Sequence, residues 1–162
     1  MDRASVEIAT LLQSGFRYAL SLTHDTHQAE DVLQDAWMAV IRANGPLSKP
    51  YLFSAVRSRF LNANRREKLY PVVSLEDLGE LGEDDSADEG GAGLDGELLE
   101  RAIADLRCVE REVLFLMVVE GYTAQEVADL TQRPRGTVLS MLHRGKKKVR
   151  RYFKQQNART MP

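Results

Sequence analysis

The amino-acid sequence predicts an all-α protein of two small helical domains joined by a flexible acidic linker. Three observations lead there. Apolar residues recur at three- and four-residue steps along most of the 162 residues, and Val72-Val73 is too short a β-branched stretch to found a sheet. Charge is segregated: residues 1–70 carry a net +2, residues 74–100 a net −11 with no Lys or Arg, and residues 101–162 a net +7, so a total of −2 hides two basic ends around an acidic middle. The stretch 79–93 is acidic, Gly-rich and free of aromatics, and cannot bury enough apolar surface to order itself. The expected layout is a domain over 1–70, a linker over 71–94 and a domain over 95–162. A linker of that length spans roughly 25–30 Å as a coil and about 80 Å drawn out.

The first helix is expected over 4–22, where Ile8, Leu11, Leu12, Phe16, Ala19, Leu20 and Leu22 share a face. The second follows Asp25, which with Gln28 three residues on resembles a capping box, and it stops at Asn44-Gly45-Pro46. The third starts after Lys49-Pro50 and ends before Pro71. Beyond the linker, Leu98, Leu99, Ile103 and Leu106 mark a helix over 95–106. Val109, Val113, Leu114, Leu116 and Met117 mark another over 109–119, closed by Gly121. Thr123-Ala124-Gln125-Glu126 is a full capping box and opens a helix through Leu130. After a turn at 131–133, the last helix runs from Pro134 to about Phe153, with proline suited to its first turn.

Short helix, short turn, longer helix is the helix-turn-helix plan. Val127, Leu130, Val138 and Leu142 face its core, and small Ala128 allows the two helices to approach. The other faces of the last helix present Thr137, Ser140, His143, Arg144 and Lys147, and residues 133–154 carry nine Lys/Arg and no acid. Such a face suits phosphate contact; the bland alternative is a solvated basic helix. On the second helix, Val32, Leu33, Ala36, Trp37, Val40 and Ile41 form an apolar stripe, while Asp31, Gln34, Asp35 and Met38 gather at i, i+3, i+4 and i+7 on another face. That polar stripe either docks a partner helix or faces water. On the third, Leu52, Val56, Phe60 and Ala63 point to a core, with Arg57, Arg59, Asn62, Arg65 and Arg66 around the rest. Tyr51 and Phe53 beside them either stack on unpaired bases or belong to the core.

In this order the pieces resemble a known family. Gln28-Ala29-Glu30-Asp31-Val32-Leu33-Gln34-Asp35-Ala36-Trp37 and Pro50-Tyr51-Leu52-Phe53-Ser54-Ala55-Val56-Arg57 are similar to region 2 of bacterial sigma factors. Arg111-Glu112-Val113-Leu114, Gly121-Tyr122-Thr123-Ala124-Gln125-Glu126-Val127-Ala128, Pro134-Arg135-Gly136-Thr137-Val138, then Ser140 and Leu142-His143-Arg144, are similar to region 4. Two regions with nothing between them match the extracytoplasmic-function (ECF) group. The resemblance implies a protein that binds core RNA polymerase and directs it to promoter DNA. It implies that Asp31, Gln34, Asp35 and Met38 grip the clamp helices of the largest polymerase subunit. Tyr51, Arg57, Arg59, Asn62, Arg65 and Arg66, with the loop at 44–50, would open and read the minus-ten element as single strand. Arg133, Arg135, Thr137, Leu139, Ser140, His143, Arg144 and Lys147 would meet the minus-thirty-five element in the major groove. The acidic linker would thread the polymerase cleft. An anti-sigma factor is the expected regulatory partner.

The sequence departs from that family at named places. Leu139 and Met141 stand where basic residues are usual, Arg133 and Arg135 where apolar ones are, and Thr131-Gln132 where the turn commonly holds Leu-Gly. Ser58 and Asn62 replace a common Asn and Asp. Leu139 is placed to touch a thymine methyl or a protein partner. These departures keep two rivals in view: a sigma mimic that sequesters an anti-sigma factor, and a helix-turn-helix repressor that dimerises on a palindrome.

Other classes have little in the sequence to support them. One cysteine, Cys108, gives no disulfide framework and suits a reducing compartment. His24 and His27 lie three apart, but further ligands are confined to Cys108 and His143 in the other half, so no metal is expected. No phosphate-cradling glycine loop and no Ser/His/Asp arrangement stands on a helix, so neither cofactor nor enzymatic activity is expected. No apolar run approaches the roughly 18 residues of a membrane span, and the start lacks the plan of a signal peptide, so a cytoplasmic protein is expected.

Overall fold

The structure, a computed structural model, describes residues 2–67 and 96–161, except the side chains of Arg66 and Glu67. The stretch 71–94 read as a linker lies outside the described residues. The chain divides into two units, Met1–Val73 and Ser74–Pro162. Among the described residues all regular structure is helical.

The first unit packs three helices: α1 (Arg3–Thr23), α2 (Thr26–Arg42) and α3 (Lys49–Glu67). Each boundary has a local cause. His24 ends α1 in the left-handed region (φ 51°), its N–H donating to the Leu20 carbonyl at 2.8 Å. Asp25 then caps α2, its Oδ1 accepting from the Gln28 N–H at 2.9 Å. Asn44, also at φ 51°, closes α2 in a Schellman motif: the Gly45 N–H donates to the Val40 carbonyl at 3.0 Å and the Asn44 N–H to Ile41 at 3.1 Å. Pro50 lies in the first turn of α3.

Tyr18, Leu22, Ala29, Ala36, Val40, Leu52, Phe53 and Val56 are buried in this unit's core, and the Tyr18 and Phe53 rings lie 4.7 Å apart. Gly15 lets α1 seat closely: a Cβ there would fall 2.8 Å from Leu52 Cδ2 and 2.9 Å from Leu33 Cδ1. Ala63 and Ile41, expected on core faces, are exposed, and Tyr18 enters the core unannounced by the expected stripe.

The second unit holds α4 (Gly96–Ala104), α5 (Cys108–Leu114), α6 (Ala124–Thr131) and α7 (Arg135–Thr160). From α5 the chain runs straight into a π-helical turn, Phe115–Val119, with the Glu120 N–H reaching five residues back to the Phe115 carbonyl at 3.0 Å. Gly121, at φ 73°, ends it. Thr123 caps α6: its hydroxyl accepts from the Glu126 N–H at 3.1 Å and donates to Glu126 Oε1 at 3.0 Å. The last helix runs to Thr160 rather than stopping near Phe153.

Leu106, Val109, Val113, Leu116, Val127, Ala128, Val138 and Met141 are buried here. Two carboxylates are buried with them. Glu112 Oε2 lies 3.1 Å from Arg133 Nη1, and Glu110 Oε1 lies 2.6 Å from Lys148 Nζ. Glu110 and Glu112 stand two residues apart, about 200° round α5, so Glu110 meets α7 itself and Glu112 the turn before it. Gly145 permits the close approach of α7 to α5, since a Cβ there would meet Leu114 Cδ1 at 3.0 Å.

Candidate nucleic-acid and partner interfaces

On α2 the buried residues Ala29, Ala36 and Val40 lie on one line of the helix. At about 100° per residue, Asp31, Gln34, Asp35 and Met38 centre on the opposite side. All four are exposed, Met38 at 43%. The structure therefore brings the four together on one outward face, with no core role for any of them.

Between the end of α2 and the start of α3 lies a groove of about 420 Å³, lined by Ala39, Val40, Ala43, Tyr51, Ser54, Ala55 and Arg59. Its volume falls in the roughly 300–1,000 Å³ range of small-ligand clefts. Tyr51, 39% exposed, is one wall. The ring lies against the backbone of Gly45, where a Cβ would sit 2.6 Å from Tyr51 Cζ and 2.8 Å from its hydroxyl. Arg59, Asn62 and Arg65 are exposed along α3 and Arg57 is half-buried; the Arg66 side chain lies outside the described residues. Phe53, one of two aromatic candidates for base stacking, is fully buried and belongs to the core, because the 51–53 spacing puts the two rings on different sides of α3.

In the second unit, α6 and α7 meet across Gln132, which takes the left-handed conformation (φ 53°) and donates its N–H to the Ala128 carbonyl. Val138, Met141 and Gly145 turn inward on α7. The outward line runs Gly136, Ser140, His143 and Lys147, with Leu139 beside it and Thr137 and Arg144 on one flank. Arg135 and Lys147 are exposed; Thr137, Leu139, Ser140, His143 and Arg144 are half-buried. The Ser140 hydroxyl donates to the Gly136 carbonyl at 3.0 Å.

One expectation needs correction. Met141 is buried, so it fills the core and is no cation missing from the outer face. Arg133, counted among the DNA-facing cations, directs its guanidinium to buried Glu112 and keeps a side chain only 13% exposed. Sequence periodicity gave no warning of Glu110 and Glu112 as core residues. Their partners lie 38 and 21 residues away, beyond any local pattern.

The Tyr122 phenol is pushed above the usual tyrosine range, first by burial and then by the negative charges of Glu120 and Glu126. Among the described residues no group of three or more His, Cys, Asp or Glu side chains could hold a metal ion. No helix described is long and apolar enough to cross a membrane.

One unit thus carries an outward acidic-polar helix face, and the other a helix-turn-helix with Arg135, Arg144 and Lys147 around the outside of its last helix. Residues 8–69 match the family model for sigma-70 region 2, and residues 96–149 that for sigma-70 region 4. The ECF RNA polymerase sigma factor SigL of Mycobacterium tuberculosis is 33% identical over 134 residues, covering 79% of this chain and 76% of the relative. SigM of Bacillus subtilis, another ECF sigma factor, is 25% identical over 142 residues, covering 85% and 87%. Among solved structures, the sigma factor RpoE of Bartonella quintana, in complex with the anti-sigma factor NepR, shares the fold with a TM-score of 0.68 at 21% identity, over 95% of this chain and 98% of that one. The chain belongs to the ECF sigma factors of the sigma-70 family. It is a promoter-directing initiation factor whose partners are core RNA polymerase and promoter DNA.

Proposed function

We propose that the two units divide initiation between them, region 2 (1–70) taking polymerase and the minus-ten element and region 4 (95–162) the minus-thirty-five element. The observation that carries this reading is that α2 and α7 each keep family-motif side chains on the face opposite the core. Asp31, Gln34, Asp35 and Met38 dock on the clamp helices of the largest polymerase subunit. An unpaired base of the minus-ten element enters the α2–α3 groove against Tyr51, with Arg59 at its edge and Asn62, Arg65 and Arg66 along the strand. Arg57, half-buried, supports that side. On α7, Ser140, His143 and Lys147 face the major groove, flanked by Arg135, Thr137, Leu139 and Arg144. Arg133 is set apart from this group by its ion pair.

The work is binding and positioning; polymerase performs the chemistry. The site of action is the cytoplasm, where polymerase is. An anti-sigma factor is a regulator of this chain as it is a partner of the Bartonella protein.

Run-off transcription with purified protein, core polymerase and genomic promoter fragments tests the whole reading. Discrete starts sharing two upstream elements are expected. Core binding without any specific start would point instead to the mimic. The polymerase face is tested by the paired substitution Asp31→Lys and Asp35→Lys, which reverses two exposed charges. Loss of core binding with unchanged helical circular dichroism is expected, and unchanged affinity would refute the assignment.

A further inference from the structure

The residue just before the recognition helix is held from three sides. Its main chain belongs to the preceding turn, since the Arg133 N–H donates to the Ala128 carbonyl at 3.1 Å, behind left-handed Gln132. The next residue, Pro134, caps α7 with φ fixed at −58°. The side chain reaches back to α5, where Arg133 Nη1 meets Oε2 of entirely buried Glu112 at 3.1 Å. One residue thus ties α5, α6 and α7 at a single point.

We propose that Arg133 is a positioning residue and not a DNA contact: with Glu112 it sets the angle at which α7 enters the major groove. The proposal rests on reading α7 as the minus-thirty-five recognition helix. Two physical arguments support it. A guanidinium drawn to a phosphate would leave the Glu112 carboxylate buried without this partner, and breaking a buried pair is far more costly than an exposed contact returns. The pair is also a pivot. At about 1.5 Å per residue, Ser140 lies roughly 10 Å and Lys147 roughly 21 Å along the helix from it. A tilt of about 5° there moves Ser140 by about 1 Å, beyond the few tenths of an ångström that groove hydrogen bonds tolerate, while the long, flexible Lys147 side chain follows its phosphate across a shift of about 2 Å. The second pair, Lys148–Glu110, steadies α7 further along, but its lysine is 42% exposed against 13% for the arginine.

The test is binding of the holoenzyme to duplexes carrying a cognate or a scrambled minus-thirty-five element, across a series of salt concentrations. Arg133→Met is expected to weaken cognate binding about tenfold and to collapse the cognate-to-scrambled ratio. The slope of log affinity against log salt should stay at its wild-type value. Glu112→Gln should act in the same way. The double variant E112Q/R133M leaves no uncompensated buried charge but still lacks the tie to α5, so it should remain unable to discriminate, with the slope still unchanged; recovery of discrimination in it would show that only a stranded charge mattered and would overturn the proposal. Lys147→Ala, on the outward face, should instead lower the slope by about 0.9 on both duplexes. A slope lowered by about 0.9 in either Arg133→Met or the double variant would place Arg133 on a phosphate and overturn the proposal, as would an unaltered cognate-to-scrambled ratio in Arg133→Met. If Lys147→Ala changes nothing and wild type does not discriminate the duplexes, the reading of α7 itself has failed.

Discussion

Gly45→Ala should disarm the minus-ten groove without disturbing the fold around it. Gly45 lies outside the left-handed region, so alanine is permitted by the backbone, and the N–H bond to the Val40 carbonyl survives. What alanine does not leave is room for Tyr51. A Cβ would stand 2.6 Å from Cζ and 2.8 Å from the hydroxyl, against an ordinary contact of 3.4–4 Å. The ring must therefore move by about 1 Å or more. It moves by side-chain rotation, because Leu52 and Phe53 beside it are buried and anchor the start of α3. Aromatic–base stacking is worth roughly 1–3 kcal/mol, and each 1.4 kcal/mol is tenfold, so full loss of the stack weakens single-strand binding by about 5- to 150-fold. The assay is holoenzyme binding to a labelled single-stranded minus-ten oligonucleotide, beside Tyr51→Ala as the limiting case. Core affinity and duplex minus-thirty-five binding should not change. Wild-type binding by Gly45→Ala alongside weak binding by Tyr51→Ala would show that ring placement is irrelevant. Wild-type binding by both would remove the groove from promoter recognition.

Gln132→Gly should stabilise the second unit by about 0.5–1 kcal/mol, since an exposed non-glycine residue at φ 53° carries a left-handed penalty that glycine lacks, less glycine's extra freedom when unfolded; a melting midpoint several degrees higher is expected, and a lower one would contradict it. Thr123→Ala removes the hydroxyl that accepts from the Glu126 N–H and should cost about 1 kcal/mol, visible as faster amide exchange in the first turn of α6. Tyr122 is held neutral more firmly folded than unfolded, so its contribution is intact below its ordinary value of 10.0 and is lost as pH rises beyond it. Urea titrations of wild type and Tyr122→Phe should agree below that pH, and above it the wild type should lose more stability than the variant.

Helix boundaries were the most legible part of the fold. Asp25, Asn44-Gly45, Gly121 and the Thr123–Glu126 box act through near neighbours in sequence, so they are written locally. The outward stripe of α2 was equally legible, because charge at i, i+3, i+4 and i+7 places itself once the opposite stripe is buried. What escaped the sequence was long-range. Nothing local distinguishes Glu112 from a surface glutamate, or pairs it with Arg133, until folding brings them within 3.1 Å. Tyr18 has the same character: its burial depends on Phe53, thirty-five residues on. The choice between Tyr51 and Phe53 needed the phase of α3 against the core, which composition does not fix.

The π turn at Phe115–Val119 has a consequence for the history of the chain. A π turn holds one residue more than the α-helical path it replaces, and here its outer residues, Val118 and Val119, project into solvent while Leu116 stays inside. Chain length is therefore negotiable at this point. Deleting Val118 should let the ladder close in four-residue steps, with Leu116 still seated and Gly121 still free to turn the chain toward α6. Descendants and cousins of this protein should be able to gain or shed that residue, leaving a single-position gap in an alignment as its only trace.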